Sequence, residues 1–401
     1  MSHSHYPLRA KFWTPGVLVL VVLMAAGAAV IIARFIGGIG YVSNLSNARP
    51  WGLWIGVDVA SGVALAAGGF TTAFLAHILG RHAYEPVVRP ALLTAMLGYT
   101  FVIIGLMVDI GRSWAIWKPM IYWNTHSVLF EVAMCVMFYV TVLYIEFIPA
   151  VVAQFKDNVN LPGVLSVFNR AIEFVLRLAD KVLARVMWVF IIAGVVLSCM
   201  HQSSLGSLML VAPTKLHPLW YTPILPLLFL TSAIAVGYPM VVFETTIATA
   251  SMKLDSEMKV LTPLTKITIF LLGVYMSLKI GDMIIRGTYI YLLDGTAVTN
   301  SFLAELGLGV ILPWLLLIFK SVRTSRRWLF FTASLIVFGV LLNRINVFIV
   351  GYQPPLNDGR YFPAIGEILA TVGLIAALMF LYRFVITYLP VYSASGKEAS
   401  S

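Results

Sequence analysis

Long apolar runs separated by short polar segments dominate the chain. About 20 apolar residues in a helix cross the hydrocarbon core of a bilayer. The runs predict ten transmembrane helices, near 15–36, 53–79, 88–108, 127–148, 182–200, 224–248, 264–286, 302–320, 328–350 and 364–388. The predicted fold class is therefore all-α integral membrane, with one helical domain, 15–388, between an N-terminal tail, 1–14, and a C-terminal tail, 389–401.

The composition agrees with this pattern. The chain is 60% hydrophobic and only 11% charged, whereas soluble domains are about 25% charged. The net charge of +10 does not indicate a nucleic-acid partner, because the basic residues lie between the apolar runs. The bilayer is the partner that the composition predicts. Cys135 and Cys199 lie in or at the end of apolar runs without a C-x-x-C motif, so we expect two free buried thiols and no iron–sulfur cluster in this chain.

Basic residues orient the predicted bundle. The termini and the connections from even to odd helices hold 18 of the 27 Lys and Arg residues. By the positive-inside rule, both termini are then cytoplasmic. The longest cytoplasmic connection is 152–181, where the spacing of Val164, Phe168, Ile172 and Val175 predicts an amphipathic helix at the membrane surface. Arg34 ends the first run, and without a convincing cleavage site this run is predicted to be a retained helix.

Polar residues inside the predicted helices gather toward the outer side. Each ionisable group in a membrane costs at least about 2.5–3.5 kcal/mol, so it usually faces an interior. Trp51, Trp54 and Asp58 recur at i, i+3 and i+7 in the second helix. Asp109 and Arg112 form a possible i, i+3 pair at the end of the third. The tryptophans could instead be an interfacial belt, and Asp109–Arg112 a structural boundary pair.

The fourth helix continues the theme on one face. Asn124, Ser127 and Glu131 again recur at i, i+3 and i+7, with His126 beside them and Tyr99 at a similar depth on the third helix. No basic residue adjacent in sequence pairs with Glu131. It is a candidate proton carrier, and the alternative is a protonated packing residue.

The fifth helix is predicted to end in four polar residues, His201, Gln202, Ser203 and Ser204. Near the inner side, Glu244 could extend a proton path from the cytoplasm. The second half holds further ionisable residues, which are more typical of a packing network than of a site: Lys279, Asp282, Arg286, Glu305, Arg344 and Glu367.

Most enzyme chemistries are excluded by the missing motifs. There is no phosphate-binding loop, no nucleophile elbow and no metal-spaced His/Cys cluster. Haem b requires facing histidines, and only His126 and His201 could serve one haem near the outer side. An aromatic-walled pocket with acids, a His–Gln pair and an arginine suits a flat ligand with two carbonyls, such as a quinone.

Five segments resemble the HybB branch of the NrfD/PsrC family: 50–58 (PWGLWIGVD), 109–112 (DIGR), 124–131 (NTHSVLFE), 200–209 (MHQSSLGSLM) and 217–220 (HPLW). The resemblance implies two four-helix bundles, about 53–200 and 224–350, with flanking helices, and no haem or cluster in this subunit. It also implies a menaquinone or ubiquinone site near the outer face. Glu131 and Tyr99 match positions at which the family is thought to carry protons.

The resemblance further implies the partners. An extracytoplasmic ferredoxin-like iron–sulfur subunit would pass electrons between the quinone pool and a catalytic subunit such as a [NiFe] hydrogenase. Other members serve sulfur metabolism, so the donor stays open. The location implied is the inner (cytoplasmic) membrane of a bacterium or archaeon, and the predicted docking loops are 37–52, 109–126 and 201–222.

The resulting prediction is a quinone-reactive membrane subunit. Its quinone-binding residues are predicted to be Trp51, Trp54, Asp58, Asp109, Arg112, Asn124, His126, His201, Gln202 and Ser203, without a metal site. Protons are predicted to pass through Glu244, Tyr99 and Glu131. The alternatives are a secondary transporter with ionisable ligands near the midplane and a cytochrome b-type subunit.

Overall fold

A computed structural model describes residues 5–6, 11–156, 159, 163–252, 258–354 and 361–393. Ten helices in these ranges are long and apolar enough to cross a membrane. They are α1 (Pro15–Gly37), α2 (Trp54–Ile78), α3 (His82–Asp109), α4 (Val128–Phe155), α5 (Ser166–Val211), α6 (Leu225–Met252), α7 (Met258–Ile285), α8 (Ala297–Ile318), α9 (Arg326–Val350) and α10 (Ile365–Tyr388). The predicted all-α membrane class and the ten helices are confirmed.

Two small elements complete the described part. The helical turn Lys320–Thr324 joins α8 to α9, and the two-residue strands β1 (His5–Tyr6) and β2 (Tyr392–Ser393) pair antiparallel. Most of the predicted tails, 1–4, 7–10 and 394–401, lies outside the described residues.

The helices pack as two rings of neighbours. In the first, α2 contacts α3, α3 contacts α4, α4 contacts α5 and α5 contacts α2; in the second, the order is α6, α7, α8, α9 and back to α6. The flanking helices α1 and α10 pack on each other, and α10 also packs on α3. These neighbours are those expected of two four-helix bundles, whose predicted limits of about 53–200 and 224–350 stay a prediction.

Glycines allow the closest helix contacts. A Cβ added to Gly27 of α1 would lie 2.6 Å from the Cα of Gly373 in α10. A Cβ added to Gly309 of α8 would lie 2.5 Å from the Cα of Gly339 in α9. Small residues at such crossings let backbones approach, which is how helices associate where burial against lipid gives no hydrophobic gain.

Helix α5 is much longer than its predicted span. Its α-helical part, Asn169–Ser207, is continuous, because no proline or glycine occurs between Gly163 and Gly194 to interrupt it. The amphipathic segment predicted in the 152–181 connection is therefore partly the beginning of α5 and not a separate surface helix. An ion pair of 2.6 Å between Lys156 and Asp180 joins it to the end of α4.

The start of α2 also differs from the predicted pattern. Residues Trp54–Ser61 form a π-helix, and Trp51 precedes the helix, so Trp51 does not continue the face of Trp54 and Asp58. Its ring packs instead against Phe348 and Tyr352, at centroid distances of 6.1 and 5.6 Å.

Candidate functional site

We call "outer" the end of the molecule at which α2 begins and α3 ends; the compartment that it faces stays a prediction. A buried polar cluster lies below this end between α2, α3, α4 and α5. We name it the histidine cluster and define it by its five members: Tyr99, Tyr139, Ser198, His201 and Gln202.

His201 is the centre of the histidine cluster. Its side chain is 1% exposed, and its Nδ1 lies 3.3 Å from the hydroxyl of Tyr99. The ring of Tyr99 packs edge-on against that of Tyr139, 4.5 Å between centroids. Because α5 continues to Val211, His201 is inside a helix rather than at a helix end as predicted. A neutral imidazole here can exchange a proton with a phenol.

Gln202 fixes the cluster to α2. Its Nε2 donates to the carbonyl of Val63 at 2.8 Å. Within the described part of the chain, Gln202 Oε1, Tyr139 Oη and Ser198 Oγ are buried without a hydrogen bond of good geometry, and Ser198 lies near the hydroxyls of both tyrosines. Three orphan polar atoms in one cluster are costly in a membrane core, so this region is suited to a bound polar molecule such as water.

Glu131 lies on the outer side of the histidine cluster. Ser127 caps α4 by accepting from the Phe130 amide at 3.4 Å, and Glu131 is in the first turn that follows. Its Oε1 accepts from the hydroxyl of Ser204 at 2.5 Å. Glu131 is exposed on the other side, whereas Ser203 is half-buried. Sequence reasoning noted Ser204 only as part of a polar run and missed this contact between α4 and α5.

A second polar cluster lies on the other side of α3. Asp58 accepts from the hydroxyl of Thr371 in α10 at 2.6 Å. Gly105 of α3 leaves room for it, since a Cβ there would lie 3.0 Å from the Asp58 Cβ. We name this group the aspartate cluster; its members are Asp58, Asp109, Glu367, Thr371 and Arg34, and sequence reasoning missed Thr371 and the role of Arg34.

Arg34 terminates α3 from the side of α1. It is 4% exposed, and it donates through Nε to the carbonyl of Val108 at 2.6 Å and through a terminal nitrogen to that of Ile110 at 2.5 Å. The predicted ion pair between Asp109 and Arg112 is not present among the described residues, because α3 ends at Asp109 and Arg112 is exposed in the turn beyond. Arg34 is instead the cation that acts on Asp109.

Glu367 caps the beginning of α10. Its Oε1 accepts from the amides of Asn44 at 2.9 Å and Ala364 at 3.1 Å, and the hydroxyl of Tyr361 donates to its other oxygen. Burial, and then this hydrogen bond, raise the pKa of Tyr361 above its ordinary value. Glu367 therefore belongs to the aspartate cluster, not to the charge network of the second half with which the sequence grouped it.

The predicted quinone residues thus do not form one pocket. Tyr99 and Gly105 are six residues apart, so the side chains at these positions point about 120° apart around α3. His201 and Gln202 lie on one side with Ser203 half-buried next to them; Asp58 and Asp109 lie on the other. Trp54 is fully buried among apolar residues, including Val108 and Ala370.

The remaining predicted residues lie in exposed outer segments. Asn124 and His126 are exposed, and Asn124 Oδ1 accepts from the His126 amide at 3.3 Å. The same connection exposes large apolar side chains beside Arg112. They are Trp114, Trp117, Met120, Ile121, Tyr122 and Trp123.

Glu244 is separated from the histidine cluster. Both of its carboxylate oxygens are buried without a hydrogen-bond partner among the described residues. Its polar neighbours are Thr94 of α3 and Tyr382 of α10. Thr94 and Tyr99 are five residues apart and point about 140° apart on α3, so α3 stands between Glu244 and Tyr99.

The second half holds a closed charge network. Lys279 pairs with Glu305, both buried, and Glu305 also accepts from Asn343 at 2.8 Å, Asn346 at 2.8 Å and Trp220 at 2.9 Å. Four donors for one carboxylate satisfy its charge, as the predicted packing network requires.

Two neighbours extend this network. Arg286 pairs with Asp282 at 2.9 Å. Arg344 donates to Asn343 and Ser232, at 2.5 and 2.9 Å, and stacks on Phe229 with its guanidinium carbon 3.7 Å from the ring centroid.

Ten membrane-crossing helices with polar clusters buried between them define the class, a multi-pass membrane protein. Residues 41–355 match the family model described as polysulphide reductase, NrfD, so the chain belongs to the NrfD family. This confirms the resemblance drawn from the five sequence segments.

Three relatives show the range of the family. A protein of Nitratidesulfovibrio vulgaris strain Hildenborough is 37% identical over 97% of both chains. The probable Ni/Fe-hydrogenase 2 b-type cytochrome subunit of Escherichia coli K12 is 31% identical over 98% of this chain and 96% of its own. The integral membrane subunit of menaquinone reductase from the same Nitratidesulfovibrio strain is 26% identical over 88% of this chain and 86% of its own.

Proposed function

We propose that this chain is the quinone-reactive membrane subunit of a respiratory oxidoreductase in a bacterial or archaeal inner membrane. It would exchange electrons between an extracytoplasmic ferredoxin-like iron–sulfur subunit and menaquinone or ubiquinone. The iron–sulfur subunit would in turn exchange electrons with a catalytic subunit such as a [NiFe] hydrogenase. The hydrogenase and menaquinone reductase relatives support this role, and the distribution of Lys and Arg supports cytoplasmic termini.

The observation that carries the proposal is the histidine cluster with Glu131 beside it. Quinone carbonyls need hydrogen-bond donors, and reduction to the quinol takes up two electrons and two protons. Tyr99 and His201 are joined at 3.3 Å, and Glu131 and Ser204 at 2.5 Å. We propose that His201, Gln202 and Ser203 hold the head group and that Glu131 and Tyr99 transfer protons to it.

The exposed side of Glu131 supports entry of quinone from the bilayer. Pool quinone is dissolved in the lipid, so its site must open between helices and not toward water. The contact of Glu131 with Ser204 supports an opening between α4 and α5, near the outer end.

The connection 109–126 is the proposed docking platform for the iron–sulfur subunit. Trp114 and Trp123 are 75% and 71% exposed. Arg112, just before them in the chain, and Lys118, between them, are exposed too. Exposed aromatic and arginine side chains are enriched in protein interfaces. An iron–sulfur cluster of a partner bound to this platform would be close to the outer end of the molecule, where Glu131 lies.

The name of the Escherichia coli relative includes a b-type cytochrome, so a haem must be considered. A bis-histidine haem needs two histidines across one porphyrin. His201 lies at the level of Val63, which Gln202 contacts, and His77 is 14 residues further along α2, roughly 20 Å away. His126 is exposed outside α4. These residues do not fit a haem held by two buried histidines, and we propose electron transfer directly to quinone.

The test uses the complex purified through this chain together with its partner subunits. Quinone-dependent turnover is compared with turnover of an artificial dye that reacts at the catalytic subunit. His201→Gln is expected to lower quinone-dependent kcat/KM at least about tenfold, equivalent to about 1.4 kcal/mol of lost transition-state stabilisation, with dye turnover unchanged. His82→Gln, an exposed histidine at the inner beginning of α3, is the matched histidine control.

Three results bear on the proposal. Unchanged quinone kinetics in His201→Gln would remove the histidine cluster from the site. A loss confined to Asp58→Asn would move the head group to the aspartate cluster. A Soret band in the absorption spectrum of the purified complex, traced to this chain, would show that a haem is present after all.

A further inference from the structure

We infer that Glu146, rather than Glu244, is the inner carboxylate through which protons reach the histidine cluster from the inner side. The inference rests on the proposed quinone function, because only quinone chemistry at the histidine cluster would need this supply. It assigns a role to the seam between α4 and α5, which connects the outer end to the inner third of the membrane.

The seam is lined by one face of α4. Glu131, Tyr139 and Glu146 are spaced by eight and seven residues, about 12 Å and about 10 Å apart along the helix. Tyr139 projects about 80° around the helix from Glu131, and Glu146 about 20° from Tyr139, so the three share one broad side of α4. Glu131 contacts α5 through Ser204, and Tyr139 contacts Tyr99. The three side chains therefore lie along one broad face of α4.

Glycine on α5 makes room for Glu146. A Cβ added to Gly194 would lie 2.8 Å from Glu146 Oε1 and 3.7 Å from its carboxyl carbon. The carboxylate thus lies in the seam, against the backbone of α5, although the residue as a whole is half-buried. Glu146 lies nine residues before the inner end of α4 at Phe155, about 14 Å along the helix axis. It is the carboxylate of this seam that lies toward the inner aqueous phase.

The step from Glu146 to the histidine cluster passes two orphan hydroxyls. Tyr139 Oη and Ser198 Oγ are both buried, and neither makes a hydrogen bond of good geometry in the described ranges. Ser198 is nevertheless close enough to interact with the hydroxyls of both Tyr139 and Tyr99. Ser198 is on α5 between Gly194 and His201, one turn from each. Buried hydroxyls in a membrane are normally satisfied, and ordered water is the usual partner where no side chain serves. Water at these hydroxyls would connect Glu146 to Tyr99 and His201.

Glu244 lacks such a connection. Its neighbours Thr94 and Tyr382 lie on the side of α3 away from Tyr99. A proton that started from Glu244 would have to pass through the packed interface of α3. The route along α4 crosses no helix.

The transfer is balanced as follows. The iron–sulfur partner supplies two electrons to the quinone, and two protons convert its carbonyl oxygens to hydroxyls. For each proton that takes this route, protonated Glu146 releases its proton to water beside Tyr139, and the histidine cluster passes one to the quinone oxygen. Glu146 then regains a proton from the inner aqueous phase. Quinol oxidation reverses each step.

The experiment reconstitutes the complex in liposomes with the inner side of this chain facing the lumen. A pH-sensitive dye in the lumen reports proton uptake, and quinone reduction is followed in parallel. Glu146→Gln is expected to reduce lumenal alkalinisation per quinone at least about tenfold, and Glu146→Asp to restore part of it. Tyr139→Phe removes one orphan hydroxyl and is expected to slow the same uptake. Glu85→Gln, an exposed glutamate paired with His82 at 2.7 Å, is the matched control.

Each outcome decides between the alternatives. Normal lumenal uptake in both Glu146→Gln and Tyr139→Phe would overturn the inference, as would a loss found in Glu244→Gln and absent from Glu146→Gln. Quinone reduction by the wild type without any lumenal pH change would overturn the inference and leave the proposed function standing. No quinone-dependent turnover in the wild type would refute the proposed function itself. Dye turnover in each variant shows whether the complex has assembled.

Discussion

Removal of Lys279 tests whether the charge network of the second half is structural. Lys279→Met would leave Glu305 as a buried carboxylate with three neutral donors, from Asn343, Asn346 and Trp220. Breaking a buried ion pair from one side costs about 3–5 kcal/mol, because the remaining charge is uncompensated. We expect a loss of stability of this size.

The double variant Lys279→Met/Glu305→Gln removes the charge and keeps the shape. The amide oxygen of a glutamine can still accept from some of the same donors, so the penalty for an unpaired charge disappears. We expect the double variant to recover at least about 2 kcal/mol relative to Lys279→Met, a coupling within the range of residues in direct contact.

The assay heats the purified complex in steps and measures the fraction of this chain that remains in the assembled peak on size exclusion. The expected order of survival is wild type, double variant, then Lys279→Met. Equal survival of the single and double variants would contradict an ion pair of structural importance. If Lys279→Met were as stable as wild type but lost quinone turnover, the network would be a functional site and the packing interpretation would be wrong.

Three further outcomes follow from other parts of the chain. Gly309→Leu should lower survival on heating in the same assay, because a Cβ at that position already meets the Cα of Gly339. Trp54→Ala should cost about 3–5 kcal/mol through the cavity that it leaves and leave the KM for quinone unchanged, which kinetics on the surviving complex would check. Burial lowers the pKa of His217 below the ordinary 6.5, and Asp294 acts in the opposite direction; the unfolded chain therefore binds a proton first as the pH falls. Stability should therefore decrease as the pH falls through about 6.5, the ordinary pKa of histidine, and His217→Asn should reduce that decrease in melting curves.

The number of helices could be predicted from sequence because lipid imposes a simple requirement. A backbone that crosses hydrocarbon must satisfy its own hydrogen bonds, so each crossing is a long apolar helix. Helix ends are less constrained. The α-helical part of α5, Asn169–Ser207, is continuous. Its amphipathic beginning differs in composition from the apolar part that follows, so the sequence pattern predicts two helices where the structure has one.

Part of the composition of the two polar clusters could be predicted, but Thr371, the role of Arg34 and the arrangement of both clusters could not. The direction in which a polar side chain points depends on where its helix begins and on partners that are distant in sequence. Asp58 meets Thr371, which is 313 residues away, and Arg34 meets Val108, which is 74 residues away. A helical face drawn through Trp51 and Asp58 could not show that the first precedes the helix. One signal could have revealed the role of Arg34. It is the single charged residue in the first apolar run, and a charge in such a position usually has a partner inside the protein.

The two polar clusters illustrate how a buried charge can serve either adhesion or chemistry. In the aspartate cluster, Arg34 terminates α3, Glu367 caps α10 and Asp58 holds Thr371, so most contacts join the flanking helices to the first ring. Such contacts are the polar adhesion expected between helices in lipid. The histidine cluster differs because three of its buried atoms lack a well-formed hydrogen bond among the described residues, against one, Asp109 Oδ1, in the aspartate cluster. It differs also because Glu131 is exposed toward the bilayer. A reaction that moves protons needs groups whose hydrogen bonds can be exchanged, and satisfied adhesive contacts oppose such exchange. This difference is why the proposed chemistry belongs on the α4–α5 side of α3.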